Sequence, residues 1–170
     1  MNDTDNQQER LRDMAWLAGL WEGEGHFGFT THGKVAMYPR AQIYNTDYDL
    51  IEEIHAVLKR YGIGHYINEH KRMHLAPEHK NLKTIYVVGM KRVQTLINFL
   101  LPEIRGKKKR IAELLLEYVE RRLALPQGTP LSSIDLAYKE QVKVLNKKGP
   151  PESSEAIRQT VSTEDMVQAV

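Results

Sequence analysis

The sequence of 170 residues contains no cysteine, which excludes disulfide bonds, thiolate metal sites and cysteine nucleophiles. It also lacks a run of about 20 apolar residues, the length that a membrane-spanning helix requires. Its polar and acidic start, MNDTDNQQER, is unlike a signal peptide. We therefore expect an intracellular protein, in the cytoplasm, the nucleoid or an organelle, that is not secreted and has no membrane partner.

Net charge is also small, since it amounts to +2 with histidine neutral. Such a balance does not by itself indicate a nucleic-acid partner, so the positions of the charges decide. Basic residues collect in short pairs and in the run from Arg105 to Arg110, whereas acidic residues gather near the start, in the helix after Asp47 and in the last twenty residues. The length and the 41% hydrophobic content are typical of one globular domain.

Hydrophobic periodicity predicts an α+β domain with the element order αββαββα. The predicted elements are a helix over 11–20, a hairpin over 27–44, a helix over 46–61, a second hairpin with strands 65–72 and 82–88, a helix over 91–101 and a longer helix beyond Pro102. Pro39 in the second strand suggests a sheet edge or a bulge. Two hairpins separated by a helix predict a four-stranded antiparallel sheet with helices on one face and an uncovered polar face.

We divide the chain into a core, residues 1–125, and a C-terminal helical extension of the same domain, residues 126–170. The apolar stripe of the last core helix consists of Ile111, Leu114, Leu115, Tyr118 and Leu123. Extra C-terminal helices are predicted near 133–147 and 153–161, separated by a Gly-Pro-Pro break.

One segment combines an apolar, small-residue helix with two acidic residues at its end, and it reads LAGLWEGEG from Leu17 to Gly25. Leu11, Ala15, Ala18 and Gly19 lie close together on a helix, because residues three and four apart share a face. A glycine there costs roughly 1 kcal/mol relative to alanine. The pattern therefore predicts a close contact with another helix, either within one chain or between two.

Glu22 and Glu24 are placed where the last carbonyls of the helix are unpaired and the macrodipole disfavours anions. A hard divalent cation would resolve this conflict, since Mg²⁺ binds carboxylate and carbonyl oxygens together. Gly25, and also Gly23, would let the chain leave the helix with positive φ. From these residues alone, a solvated helix end without metal is the alternative.

This segment resembles the signature of the LAGLIDADG homing endonucleases, because LAG, the next apolar residue, both acidic positions and the final glycine occur in order. Both aspartates of that signature are glutamates here, and Trp21 replaces an aliphatic residue. The resemblance covers 11–125 and implies that Glu24 and the carbonyl of Gly23 bind the catalytic metal. The implied cofactor is Mg²⁺, with Mn²⁺ as an alternative and Ca²⁺ as a non-catalytic substitute.

The outward positions of the two hairpins carry cationic, amide, hydroxyl and aromatic groups, which suit contacts with base edges and phosphates. A two-stranded ribbon also fits the major groove of DNA. An ordinary solvated face is the alternative. The predicted DNA-binding residues are Gly28, Thr30, His32, Lys34, Tyr38, Arg40, Gln42, Tyr44, Tyr66, Asn68, His70, Arg72, Thr84, Tyr86 and, from the basic run, Lys109.

The basic run after Pro102 resembles the family stretch that carries an active-site lysine, and its spacing from the proline favours Lys107 over Lys109. Such a lysine stabilises transition-state charge or orders the attacking water. Asn45 matches a position at which the family has a polar residue that positions water. A generic phosphate-binding patch is the alternative for the run.

A double-strand break needs two cuts, whereas the chain carries one signature, so we expect an isologous homodimer. The predicted interface residues are Ala15, Ala18, Gly19 and Glu22, with Glu22 holding either the helix end or the partner chain. The sequence thus predicts a site-specific homing endonuclease that makes a metal-dependent break in a long double-stranded DNA target. The alternatives are an intron RNA maturase, or splicing cofactor, and a non-cleaving sequence-specific DNA-binding protein.

Overall fold

An α+β fold with four antiparallel strands is seen in the computed structural model, which describes residues 3–33, 36–70 and 81–147. The elements are α1 Asp3–Gly23, β1 Gly25–His32, β2 Ala36–Asn45, α2 Tyr48–Arg60, β3 Tyr66–His70, β4 Leu82–Val88, α3 Met90–Leu100, α4 Gly106–Leu123 and α5 Ser133–Asn146. The predicted order αββαββα is confirmed, and α5 follows it. The predicted helix over 153–161 lies outside the described residues. No helix in the described ranges is both long and apolar enough to cross a membrane.

The sheet has the strand order β1-β2-β4-β3, and every neighbouring pair is antiparallel. Paired residues share a face, and the pairs Phe27 with Ala41 and Ile43 with Ile85 put these buried side chains under the helices. The alternating positions face the other way. The alternation of apolar and polar residues along the hairpins is therefore explained by a sheet that is covered on one side only.

Pro39 does not mark an edge or a bulge, so that prediction is wrong. β2 has a neighbour on both sides, and its register with β1 runs without interruption from Gly25 opposite Ile43 to His32 opposite Ala36. The β2–β4 register begins one residue after the proline, at Arg40. A residue without an N–H is tolerated at this position because the ladder to β4 ends there.

The helices bury their apolar stripes against the sheet and one another. α2 begins at an N-cap aspartate, Asp47, whose carboxylate accepts the N–H groups of Asp49 at 3.1 Å and Leu50 at 3.3 Å. On α4 the predicted stripe is buried except for Leu123, which is 46% exposed. Leu123 is the last residue of α4, so it lies beyond the turns that pack in the core, and its assignment to the core is wrong.

α5 is anchored at both of its ends. At its start, Asp135 is completely buried and forms a capping box with Ser132, while its carboxylate pairs with Arg122 at 3.3 Å. Burial would raise the pKa of Asp135, but the Ser132 hydrogen bonds and the positive charges of Arg122 and Arg121 hold it below its ordinary value. At the other end, the Asn146 amide donates to the carbonyl of Phe27 at 2.9 Å. α5 is thereby held beside β1, a strand at the edge of the sheet.

Gly25 has a steric role rather than the positive φ that the sequence predicts, since neither Gly23 nor Gly25 is among the glycines with positive φ. A Cβ built on Gly25 would lie 2.6 Å from Cγ and 2.7 Å from the carbonyl oxygen of Trp21. Trp21 is fully buried and stacks on Phe27 with ring centroids 6.2 Å apart. The absence of a side chain at Gly25 therefore makes room for the indole.

We expect Gly25→Ala to destabilise the fold by about 1–3 kcal/mol, because the added methyl overlaps both the indole and the backbone of Trp21. Gly23→Ala is the matched control, since its Cβ would meet nothing within 4 Å. Chemical denaturation of both variants measures the difference. Equal stabilities of the two variants would contradict the steric role of Gly25.

Candidate active site and nucleic-acid interface

Both acidic residues of the LAGLWEGEG segment are exposed at the C-terminal end of α1. The Glu24 N–H closes the helix by donating to the Leu20 carbonyl at 2.8 Å. The strand register places Gly25 opposite Ile43, so Asn45 lies at the same end of the β1–β2 pair as Glu24. The Asn45 side-chain oxygen accepts the Asp47 N–H at 2.9 Å. The predicted metal ligand and the predicted water-positioning amide thus share one end of the sheet.

Lys108, on the first turn of α4, joins the end of α1. Its ammonium donates to the carbonyl of Gly25 and to that of Trp21, the latter at 3.3 Å. Burial, followed by the charge of Lys107, lowers the pKa of Lys108, while Glu22 and Glu24 act in the opposite direction. The Lys108 ammonium therefore balances part of the negative charge of Glu22, Glu24 and the helix carbonyls at the end of α1.

The structure does not bring Lys107, the lysine that spacing favours, to this position. Its ammonium donates to the Lys147 carbonyl at 3.3 Å and so points towards α5, and Lys109 is exposed. Lys108 precedes the buried Ile111 and Ala112 by three and four residues, which places it on the inward side of α4. That helical phase was the signal in the sequence that could have identified Lys108.

Glu22 contacts α4 of its own chain. Its carboxylate accepts the N–H of Arg105, the N-cap residue of α4. A carboxylate at a helix N-terminus is stabilised by the macrodipole and by unpaired N–H groups. Glu22 therefore links the end of α1 to the start of α4 within one chain.

The predicted interface residues on α1 divide between two sides of the helix. Ala18 is only 1% exposed and lies in the core together with Met14, so its assignment to a dimer interface is wrong. Ala15 and Gly19 are exposed, and Leu11, four residues before Ala15, is 51% exposed. Residues 11, 15 and 19 thus form an open row along α1, which we call the α1 row.

The exposed carboxylate of Glu24 is a hard oxygen donor of the kind that Mg²⁺ and Ca²⁺ prefer, so this end of α1 fits a divalent cation. Within the part of the chain that the structure describes, no group of three or more His, Cys, Asp or Glu residues could hold a metal ion. A cation at Glu24 would accordingly need further ligands from water, from a phosphate or from a second copy of the chain.

The outward face of the sheet contains the described residues of the predicted DNA-binding set that belong to strands. By register these are Gly28, Thr30 and His32 on β1, Tyr38, Arg40, Gln42 and Tyr44 on β2, Thr84 and Tyr86 on β4, and Tyr66, Asn68 and His70 on β3. No acidic residue occurs among the described residues of this face. Lys34 and Arg72 lie outside the described residues.

The members of this face differ in accessibility. Tyr38, Tyr44 and Tyr66 are 39%, 45% and 45% exposed, respectively. Thr84 is 3% exposed, because it is flanked by Tyr44 and by Asn68 on the neighbouring strands. The tyrosine side chains are therefore available to a partner, whereas Thr84 is covered within the chain.

His26 belongs to the outward face but is absent from the predicted set. It pairs in register with Gln42, and a Cβ built on the buried Gly28 would lie 3.0 Å from its Nε2. Burial, then the charges of Lys108 and Arg40, lower the pKa of His26. The imidazole thus covers Gly28. The alternation of β1 contained this signal, since residues 26, 28 and 30 share a face.

Comparison with known proteins yields a family and a fold. A family model described as a LAGLIDADG-like domain matches residues 12–98. No curated protein matches the sequence.

Among solved structures, one similar protein is the homing endonuclease I-CvuI, in complex with the I-CreI target C1221 in the presence of 2 mM Mg, with the DNA not cleaved. It is 16% identical to this chain, with a TM-score of 0.61, and the match covers 91% of this chain and 96% of that one. I-GzeII in complex with its DNA target is 15% identical with a TM-score of 0.53, over 88% and 48%. I-CeuI complexed with DNA is 13% identical with a TM-score of 0.54, over 84% and 70%. At these identities the similarity to solved structures shows the fold.

Proposed function

This chain belongs to the LAGLIDADG family, and from that premise we propose that it is a site-specific homing endonuclease that cuts both strands of a DNA target as a homodimer. The observation that carries the proposal is the convergence of an exposed carboxylate, Glu24, and a half-buried lysine, Lys108, at one end of a one-sided sheet. A metal ligand beside a fixed positive charge is suited to phosphodiester hydrolysis.

The outward face supports DNA as the substrate. Its Arg40, Gln42 and Asn68 side chains are groups that read base edges, and its hydroxyl and imidazole groups contact phosphates or bases. The described part of this face has no acidic residue to repel a polyanion. Antiparallel strands that carry such groups fit along a groove, so we assign base reading to β1 and β2, with β3 and β4 extending the contact.

Cleavage requires three tasks of this chain's residues at the end of α1. Glu24, together with the Gly23 carbonyl, would hold a divalent cation. The chemistry that the cation supplies when bound is neutralisation of phosphate charge and activation of water. Lys108 would stabilise the charge that develops on the phosphate, and Asn45 would position water. Lys108 takes this role in place of Lys107 because of its position beside Glu24.

A homodimer is supported by the α1 row. A Cβ built on Gly19 meets nothing within 4 Å in its own chain, so the glycine has no steric reason inside one copy. Small residues at positions 15 and 19 would let the same row of a second copy approach closely. The chain also corresponds to 48% of the length of I-GzeII, so two copies would supply about as much chain as that protein has.

A second candidate function, RNA binding in intron splicing, is favoured by the exposed aromatic side chains. Tyr66 and Tyr86 stack with ring centroids 5.2 Å apart and an interplanar angle of 19°, and Tyr38 and Tyr44 are exposed on the same face. Such a surface can stack on unpaired bases. It would use the sheet without Glu24.

One experiment separates the two functions. The protein is incubated with a library of duplexes that carry a randomised central segment, with Mg²⁺ or with Ca²⁺, and the ends of cut molecules are sequenced. We expect a common sequence motif at ends that are produced with Mg²⁺ only. The nuclease proposal would fail if no ends are produced or if the ends share no sequence motif. If, in addition, the protein binds a single-stranded RNA library more tightly than the duplex library, the RNA-binding function would replace it.

Lys108→Met is expected to slow cleavage of the selected target by about 10²–10³-fold, because it removes a positive charge next to the reacting phosphate. Lys59→Met is the matched control, because it removes the same charge from an exposed position in the last turn of α2, and it should cut within a few-fold of the wild-type rate. Single-turnover rates are measured below the unfolding temperature of both variants. Loss of activity in Lys59→Met with retention in Lys108→Met would contradict the assignment.

A further inference from the structure

A basic cleft lies between α5 and the outward side of β1. Its α5 wall carries Lys139, Lys143 and Lys147, and its floor is formed on β1 by His26 and Gly28. The hydrogen bond from the Asn146 amide to the Phe27 carbonyl holds the α5 wall at a fixed distance from β1. Because His26 and Gly28 face outwards, the cleft opens beside the sheet face to which we assign DNA. We call these five residues and Lys107 the lysine cleft.

The lysines are arranged as a row that follows the helix. They are four residues apart, which brings them to one side of α5 with about 6 Å between successive positions. Lys107 of α4 reaches the end of this row, since its ammonium donates to the Lys147 carbonyl at 3.3 Å. Four ammonium groups from two helices therefore lie along one edge of the sheet.

Little in the chain neutralises this charge. Lys143 pairs with Glu140 at 3.1 Å, but both side chains are more than 60% exposed, at 65% and 61%, so the pair contributes little. In the described ranges, no carboxylate forms a salt bridge with Lys107, Lys139 or Lys147. Four like charges with one exposed acidic partner repel one another, and a polyanion would relieve that repulsion.

We propose that the lysine cleft binds phosphates of the DNA backbone that runs beside the sheet. The inference rests on the proposed function and adds to it a second surface, which would position the duplex while the sheet reads bases. It also gives Lys107 a role different from the catalytic one. A lysine ammonium group binds a backbone phosphate as a point charge, so we expect the contribution of the four lysines to be independent of DNA sequence.

The salt dependence of binding tests the cleft. A labelled duplex of random sequence is titrated by anisotropy in Ca²⁺ at several salt concentrations, with wild type and with the double variant Lys139→Gln, Lys143→Gln. The slope of log K against log salt is negative, and each lost phosphate contact reduces its magnitude by about 0.9, so for two lysines we expect a decrease in magnitude of about 1.8. The control, Lys59→Gln with Lys91→Gln, removes the same charge from exposed positions of α2 and α3.

The outcomes separate the two proposals. If the wild type binds duplex and the cleft variant has the same salt slope as the wild type, the proposal that the lysine cleft binds phosphates is overturned. The nuclease proposal is not affected by that result. Equal decreases in the cleft and control variants also overturn the cleft proposal, because net charge alone would then explain the effect. A wild type that does not bind duplex overturns both the cleft and the proposed function.

The cysteine-free sequence allows a second measurement of position. Lys143→Cys and, as control, Lys59→Cys each provide a unique thiol for a short photo-crosslinker. We expect DNA crosslinks from position 143 at least about tenfold more often than from position 59. Equal yields would contradict backbone binding in the cleft even if the salt slopes differ.

Discussion

Glu24→Gln is expected to abolish cleavage while leaving duplex binding in Ca²⁺ within a few-fold of wild type. The change keeps the shape of the side chain but removes the charge by which it would hold the cation. Mutation of a group that only orients a metal ligand costs about 10–100-fold, so loss of the ligand itself should cost about 10³-fold or more. Single-turnover cleavage of the target selected from the duplex library measures the rate.

Glu22→Gln is the matched control, since it makes the same exchange two residues earlier. The amide oxygen of glutamine can still accept the Arg105 N–H that Glu22 accepts, so the link between α1 and α4 persists. We expect its cleavage rate to remain within about tenfold of wild type. Equal loss of activity in both variants would show that only the total negative charge at the end of α1 matters, and not a specific role of Glu24. Full activity of Glu24→Gln would exclude Glu24 as a metal ligand.

Gly19→Leu is expected to convert a dimer into a monomer and thereby to eliminate double-strand cleavage. Within one chain the new side chain enters open space, because a Cβ at Gly19 meets nothing within 4 Å. Replacing a helical glycine should even stabilise the monomer by up to about 1 kcal/mol. Across a two-fold axis, however, two leucines would push apart the two α1 helices at the position where the α1 row has no side chain.

These opposite effects make the experiment decisive. Sedimentation gives the mass of the assembly, thermal unfolding gives its stability, and a plasmid substrate distinguishes nicks from double-strand breaks. Glu53→Leu, at an exposed position of α2, controls for the addition of an apolar surface residue. A Gly19→Leu protein that is still dimeric and active would rule out the α1 row as the interface, as would a monomeric wild type that cuts both strands.

Local pattern was sufficient for the elements and for most of the faces. The alternation around Phe27 and Ala41 predicts which strand residues enter the core, because the side-chain period of a strand is two and one face of this sheet is covered. The acidic pair after the LAG segment also directs attention to the C-terminal end of α1, where the structure places Lys108. Each of these conclusions depends on neighbours in sequence or on one strand pairing.

The errors concern residues whose role depends on how side chains, helices and the sheet pack together. Ala18 and Gly19 are adjacent on one helix, yet the core buries the first and leaves the second open. Gly25 reads as a helix stop, but the size of Trp21 explains it. His26 is absent from the predicted set although the alternation of β1 places it on the outward face. Only the tertiary structure shows that it lines the cleft beside α5, whose first residue, Ser133, follows it by 107 residues.

The sequence by itself determined the sheet, the order of its strands along the chain and the acidic end of α1, since periodicity and short motifs act over a few residues. Only the tertiary structure decided that the inward side of α4, which carries Lys108 and not Lys107, packs against that end, and that α5 places its lysines beside β1. The physical reason is that adjacent helical residues point about 100° apart, so the docking of each helix selects which side chain reaches the site.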